Sequence, residues 1–135
     1  MNRCYAALFL MSAIAGGTLP LEAQQKFPPE KFVNLQVFPN DATPGAVINT
    51  MKNFTRALGV RCQFCHVGEE GMPLEQFDFV ADTKPEKQTA RIMMRMASDI
   101  NAQISKAMPD AASKGYQVTC FTCHRGAQHP QHVPQ

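Results

Sequence analysis

Two five-residue stretches decide how this chain is organised: CQFCH at residues 62–66 and CFTCH at residues 120–124. Each stretch contains two cysteines separated by two residues, and a histidine follows the second cysteine directly. The chain has 135 residues and five cysteines, and four of the five lie in these two stretches. The rest of the sequence can therefore be described by its position relative to the two motifs.

The pattern Cys-x-x-Cys-His is the attachment signature of a c-type haem. Two thiols one helical turn apart can each form a thioether with one vinyl group of a porphyrin. The histidine that follows lies within reach of the iron, for which neutral imidazole is a common ligand. The sequence therefore predicts two covalently bound haem c groups as cofactors. The residues predicted to hold them are Cys62, Cys65 and the proximal ligand His66 for the first haem, and Cys120, Cys123 and the proximal ligand His124 for the second.

Three other interpretations of paired cysteines compete with haem attachment. Two Cys-x-x-Cys pairs can form a Cys4 zinc site, structural disulfides of an exported protein, or a thioredoxin-like redox pair. Zinc does not need the two histidines, and a thioredoxin-like pair would follow a strand, for which the sequence has no pattern. The repetition of the complete motif favours two haems.

Length and charge limit the remaining possibilities. A chain of 135 residues with 44% hydrophobic residues is long enough for one folded domain. Its 13 Lys and Arg against 11 Asp and Glu give a net charge of +2. This balance lacks the dense basic stripe of a nucleic-acid-binding protein, so no nucleic-acid partner is predicted.

The N-terminus has the pattern of a secretory signal: a positive start at Arg3, an apolar run over residues 4–17 and a cleavage position after Ala23. The apolar run is too short to span a bilayer. We therefore predict a periplasmic protein, or a membrane-associated one if the signal stays uncleaved as an anchor. The predicted organisation is a signal peptide at 1–23, an extended segment at 24–42, a dihaem cytochrome c domain at 43–126 and a flexible tail at 127–135.

The segment before the first motif has the pattern of an amphipathic helix. Thr43 can cap its start, Pro44 suits the first turn and Gly59 is a natural stop. Four apolar residues recur at helical spacing, namely Val47, Met51, Phe54 and Leu58. Because the helix ends at a turn that leads into the first motif, the chain can double back over the haem face opposite His66. Met51 is therefore the predicted distal ligand of the first haem, in competition with ordinary core packing.

A second, longer helix is predicted between the two motifs. Thr83 and Glu86 have the spacing of a capping box, Pro85 lies in the first turn, and Pro109 ends the segment. Its apolar stripe consists of Ile92, Met93, Met96, Ala97, Ile100 and Ile104. Its cations are predicted to form a solvated face, and they are Lys84, Lys87, Arg91, Arg95 and Lys106.

The remaining segments are predicted to be irregular. Residues 67–81 form a loop that packs Phe77 and Phe79 against the edge of the first haem, and residues 110–118 connect the second helix to the second motif. No segment has the pattern of a strand. The predicted fold is mostly α: a small multihaem c-type cytochrome in which two helix-turn-CxxCH units pack around two haems.

The distal ligand of the second haem is ambiguous from the residues alone. Four methionines precede the second motif and two histidines follow it. These candidates are Met93, Met94, Met96, Met108, His129 and His132.

The sequence resembles the c-type cytochrome subunit of bacterial photosynthetic reaction centres. The resemblance covers about residues 43–126 and rests on TMKNFTRALGVRCQFCH at 50–66, TARIMMRMASDIN at 89–101 and VTCFTCHRG at 118–126. Members of that family carry four haems on two similar halves, so this chain corresponds to one dihaem half. The resemblance implies Met51 and Met93 as distal ligands.

The resemblance also implies that the chain transfers electrons between redox protein partners, such as a membrane electron-transfer complex or a reaction centre. No enzymatic activity is predicted, because no acid or base group is evident beside an open iron. The alternative is a haem enzyme or gas sensor, similar to a small peroxidase, with an open second iron. A homodimer is a further prediction, since two copies would restore a four-haem arrangement.

Overall fold

The structure is a computed structural model that describes residues 26–130. The predicted signal peptide (1–23) and the end of the predicted tail (131–135, with His132) lie outside the described residues. Between residues 26 and 130 the chain is helical and has no strand, apart from one isolated bridge between Val67 and Asp78. The prediction of a mostly α fold is confirmed.

The described chain contains five α-helices and one short 3₁₀ helix, joined by irregular segments. The helices are α1 (Pro44–Leu58), α2 (Cys62–Cys65), α3 (Pro85–Ala107), α4 (Pro109–Ser113) and α5 (Cys120–His124), with the 3₁₀ helix at Leu74–Gln76. The two motifs are α2, with His66 as its C-terminal cap, and α5. The predicted connection at 110–118 thus contains a short helix, because Pro109 ends α3 and then begins α4 as its first residue.

The start and end of α1 follow directly from local sequence. The Thr43 hydroxyl accepts a hydrogen bond from the Ala46 N–H at 3.3 Å, and Pro44 begins the first turn. Gly59 ends the helix with φ +67°, a left-handed conformation in which a residue with a Cβ is strained. The predicted cap, first turn and stop are all confirmed.

The capping box predicted for α3 is wrong. Pro85 occupies the first turn of α3, so the N-cap is Lys84, and Thr83 lies one residue outside the helix. A capping box is present instead at the start of α5, between Thr119 and Thr122. The usual sequence rule expects Glu or Gln at the third helical position, so it does not find a box closed by threonine.

The buried face of α3 is not the one that the apolar stripe indicates. Lys87 and Arg91, predicted to be solvated, are buried, whereas Ile92, Met93 and Met96 are 58%, 38% and 47% exposed. The prediction of a fully solvated cationic face is therefore wrong at these two positions. The reason is an ion pair with Asp82, a residue of the preceding loop that helical spacing does not reveal.

The two predicted helix-turn-CxxCH units pack crosswise. Apart from the contact between the successive helices α3 and α4, the helix contacts join α1 to α5 and α2 to α3, so each motif rests on the long helix of the other unit. At the first crossing the Gly126 N–H donates to the Ala57 carbonyl at 2.8 Å. At the second, the Lys84 ammonium donates to the Gln63 carbonyl inside the first motif.

Residues 26–43 cross the loop that precedes α3. The Asn34 amide donates to the Val80 carbonyl at 2.8 Å, and Phe27 lies against Phe79 with ring centroids 5.3 Å apart. The Gln36 amide donates to an Asp82 oxygen at 3.2 Å. This N-terminal segment therefore packs against the loop that precedes α3.

Candidate haem sites

The first motif forms one short helical turn. The His66 N–H donates to the Cys62 carbonyl at 2.9 Å, which closes the turn over the two residues between the cysteines. Cys62 and Cys65 are free and half-buried. Burial raises the pKa of the Cys65 thiol, and the neighbouring Glu86 carboxylate raises it further. Two thiols one turn apart are the arrangement that thioether attachment to a single porphyrin needs.

The His66 imidazole lies in a half-buried, cationic pocket. Its ring meets the edge of Phe79 with centroids 4.9 Å apart, and its Nδ1 is buried without a hydrogen-bond partner. Burial, together with the charges of Lys87, Arg91 and Lys84, lowers the pKa of His66 to about 4. The ring is therefore neutral near pH 7, the form that binds iron.

A charged cluster contacts the backbone of Phe79 and consists of Asp82, Lys87 and Arg91. One Asp82 oxygen accepts from the Lys87 Nζ and from the Arg91 Nη2, each at 2.9 Å. The Lys87 ammonium also donates to the carbonyls of Phe79, Val80 and Ala81 at 2.8–3.1 Å. Hydrogen bonds from Arg91 and Lys87 hold the pKa of Asp82 well below its usual range. The sequence pattern did not predict this cluster, although Lys87 and Arg91 share a helix face four residues apart.

The second motif is a helical turn with a different histidine environment. The capping box of Thr119 and Thr122 fixes its start, and Arg125 ends it in the left-handed region at φ +51°. His124 is half-buried, and its Nδ1 lies 3.0 Å from the Ala127 carbonyl. A hydrogen bond there places the ring proton on Nδ1 and leaves Nε2 as a metal donor, as is usual for metal-binding histidines.

A side-chain amide joins α3 to the entrance of the second motif. The Asn101 Oδ1 accepts from the Val118 N–H at 2.7 Å, and its Nδ2 donates to the Val118 carbonyl at 2.9 Å. Both backbone groups of one residue are thus paired by one side chain. Asn101 therefore fixes the distance between α3 and the chain that enters Cys120.

The four cysteines do not come together in the described chain. All four are free, and no three His, Cys, Asp or Glu side chains between residues 26 and 130 are grouped so that they could hold a metal ion. The structure thus lacks the converging donors of the Cys4 zinc alternative and the bonds of the disulfide alternative. The two motifs are instead separate, each with its own histidine.

The predicted distal ligands lie on the two long helices. Met51 is half-buried on α1, and Met93 is 38% exposed on α3. Neither helix has its principal contact with the motif that its methionine is predicted to serve, because the units pack crosswise. The roles of Met51 and Met93 stay predictions.

These residues fit the attachment of haem. Each motif offers two free thiols on one turn and a histidine that can present a ring nitrogen to iron. When bound, the haem iron supplies one-electron chemistry between its ferric and ferrous states. Cys62, Cys65 and His66 would hold one haem, and Cys120, Cys123 and His124 the other.

Comparison with known proteins agrees with this geometry. The family described as "Photosynthetic reaction centre cytochrome C subunit" matches residues 62–134, more than half of the chain and both motifs. The chain belongs to this family. Membership confirms the resemblance noted from the sequence and implies covalently bound haem c.

Two relatives show how much of the family this chain represents. Cytochrome c-554 of Chloroflexus aurantiacus is 33% identical over 95 residues, which are 70% of this chain and 20% of that protein. The photosynthetic reaction center cytochrome c subunit of Rubrivivax gelatinosus is 30% identical over 93 residues, 63% of this chain and 24% of that protein. The chain thus spans about a fifth to a quarter of the curated relatives that it matches. No solved structure gives a significant match.

The described residues also bear on membrane association. Between residues 26 and 130, no helix combines the length and the apolar character needed to cross a bilayer.

Proposed function

We propose that this chain is a periplasmic dihaem c-type cytochrome that transfers electrons between redox proteins. The observation that carries the proposal is the pair of separate CxxCH turns, each with free thiols and its own histidine. Family membership supports covalent haem, and the repetition of the motif supports two of them. Haems held at these two turns would supply one-electron chemistry, so the chain could take an electron from a donor protein and pass it to an acceptor protein without net change.

The proximal histidines of the proposal are His66 and His124, and the distal ligands are Met51 and Met93. Haems held by these residues would need room between each motif and the helix that carries its distal methionine. The crosswise packing is compatible with this requirement, because each motif has its principal contact with the other unit's long helix. Two axial ligands per iron favour electron transfer over catalysis, which needs an open position.

The proposed partners are redox proteins, among them a membrane electron-transfer complex such as a reaction centre. The name of the Rubrivivax gelatinosus relative supports this choice of partner. A periplasmic location rests on the signal pattern of residues 1–23. Nothing in the described chain supports a homodimer, which is not part of the proposal.

The proposal is tested by the visible spectrum of the chain produced in a host that assembles c-type haem. Spectra are recorded oxidised, reduced, and reduced with carbon monoxide, together with the haem-to-protein ratio. We expect two covalent haems and no spectral change with carbon monoxide. One haem or none would contradict the dihaem proposal, and a haem that binds carbon monoxide would instead favour the enzyme or sensor alternative.

The distal ligands are tested by Met51→Ala, with Met72→Ala as a matched control for a half-buried methionine outside the predicted ligand set. Loss of a methionine ligand opens one iron, so carbon monoxide is expected to bind one of the two haems in Met51→Ala. The potential of that haem is expected to fall as well. Unchanged spectra in Met51→Ala, or equal changes in both variants, would overturn the assignment of Met51.

A further inference from the structure

The charged cluster of Asp82, Lys87 and Arg91 lies one residue away from the His66 ring. The Lys87 Nζ is 2.9 Å from the Phe79 carbonyl, and the Phe79 ring meets the His66 ring with centroids 4.9 Å apart. The Phe77 ring stacks on the Phe79 ring with centroids 5.5 Å apart, so apolar rings lie beside the imidazole. One residue, Phe79, therefore contacts both the cluster and the imidazole.

The two cations of the cluster are shielded from solvent. The side chains of Lys87 and Arg91 are 11% and 9% exposed, and the Asp82 side chain that pairs with both is 32% exposed. One carboxylate balances only one of the two charges, so the cluster keeps a net positive charge of one. A charge held away from water is screened much less than a surface charge and acts over a longer distance.

We propose that Lys87 and Arg91, opposed in part by Asp82, raise the reduction potential of the haem attached at Cys62 and Cys65. The inference rests on the proposed function, in which His66 is the axial ligand of that iron. Addition of one electron lowers the charge of the haem site by one, and a positive charge nearby stabilises the reduced form relative to the oxidised form. The two cations thus favour the ferrous state, and the carboxylate favours the ferric state.

The same cluster also has a structural role. Because it contains both positive and negative charges, an experiment can separate that structural role from the electrostatic effect. Any substitution that merely loosens the loop lets water reach the haem, and this moves the potential in one direction whichever residue is changed. The electrostatic effect instead changes sign with the charge that is removed. Lys87→Gln and Arg91→Gln must lower the potential, and Asp82→Asn must raise it.

The experiment is a spectroscopic redox titration of the haem-loaded chain and its variants. For Lys87→Gln and Arg91→Gln we expect the potential of one of the two one-electron waves to fall. The expected fall is about 59 mV, which is a tenfold change in the equilibrium constant for reduction. Asp82→Asn is expected to shift the same wave up. Arg91→Lys keeps the charge and is expected to titrate near the wild type. If Lys87→Gln does not accumulate, the two Arg91 variants and Asp82→Asn decide the question.

The matched controls change the same charges at exposed positions. Lys106→Gln lies on the same helix, 19 residues or about 28 Å beyond Lys87, and Asp110→Asn lies on α4. Neither is expected to move the wave. Shifts of equal sign in Asp82→Asn and the cation variants, or no shift in any of them, would overturn this inference alone. Absence of haem from the wild-type chain would overturn the proposed function and the inference together.

Discussion

His66 and His124 hold the same place in the same five-residue motif, yet the two side chains have different neighbours. The His66 ring lies against Phe79, the buried cations Lys87 and Arg91 are nearby, and its Nδ1 has no hydrogen-bond partner. His124 has a backbone carbonyl, that of Ala127, 3.0 Å from its Nδ1. The motif therefore determines where a haem would be attached, while residues outside the motif determine the surroundings of its histidine.

This difference between the two histidines is expected to affect the reduction potentials of the two proposed haems. A histidine whose Nδ1 donates to a carbonyl is held in one orientation and is a stronger electron donor to its metal. A histidine without that partner is oriented by packing alone, and here the charges around it are positive. Both features of the His66 site favour reduced iron, so the first haem is expected to have the higher potential.

The largest expected effect is on haem content. The double variants Cys62→Ala/Cys65→Ala and Cys120→Ala/Cys123→Ala each remove one attachment turn, so each is expected to carry half of the wild-type haem. The second variant retains the haem at His66 and is expected to titrate at the higher potential. Measurement of haem per protein, followed by redox titration, checks both statements. Equal potentials in the two variants would break the comparison between the sites.

The next largest effect is expected at the crossing of α1 and α5. An Ala at position 59 would place its Cβ 2.2 Å from the Gly126 oxygen, on a backbone with φ +67°. The left-handed conformation alone costs about 1–2 kcal/mol for a residue with a Cβ, and the contact adds to it.

The matched control for Gly59→Ala is Gly45→Ala, because a Cβ at position 45 meets nothing within 4 Å. Urea denaturation of the haem-loaded variants measures the free energy of unfolding. The Gly45→Ala variant is expected to be as stable as the wild type or more stable. Equal stability of the two variants would show that the crossing does not hold the second unit in place.

A smaller effect is expected at Asn101. Asn101→Ala leaves the N–H and the carbonyl of Val118 without their side-chain partner, which is expected to cost about 1–3 kcal/mol. Asn101→Asp retains the acceptor and should recover part of this loss, while the exposed Asn53→Ala is a matched control on α1. Thermal unfolding gives the stabilities, and redox titration shows which haem responds. A shift of the higher-potential wave in place of the lower one would contradict the position assigned to Asn101.

The smallest effect is a pH dependence at Asp82. Its pKa is lowered from 3.8 in the folded chain, so the stability that it contributes is complete above about pH 5 and is lost as the pH falls further. The difference in Tm between the wild type and Asp82→Asn is therefore expected to shrink between about pH 5 and pH 2. Asp110→Asn, at an exposed position, should show no such trend. A difference that stays constant with pH would show that Asp82 acts by packing alone.

Local signals predicted much of the helical structure. Thr43, Pro44 and Gly59 define α1 because a cap, a first-turn proline and a left-handed glycine each act within a few residues. Pro85 and Pro109 bound α3 for the same reason. The two motifs were found because their chemistry needs a fixed spacing. The family resemblance drawn from those residues was also confirmed.

The rest could not be predicted because it depends on contacts that no local sequence pattern specifies. A helical pattern shows that Lys87 and Arg91 share a face, but burial of that face depends on Asp82 in the preceding loop. Similarly, the carbonyl beside His124 and the amide that pairs with Val118 follow from the folded path of the chain. The crosswise contacts of α1 with α5 and of α2 with α3 have no sequence pattern at all.

The crosswise packing also limits how such a chain can be divided or recombined. A fragment that ends before residue 85 would contain CQFCH but not the helix on which this turn rests, and a fragment that starts after residue 66 would contain CFTCH without α1. Neither half is a complete structural unit. The smallest part that could be duplicated, fused or exchanged between proteins is therefore the pair of motifs, and a gene that gains CxxCH motifs by this route gains them two at a time.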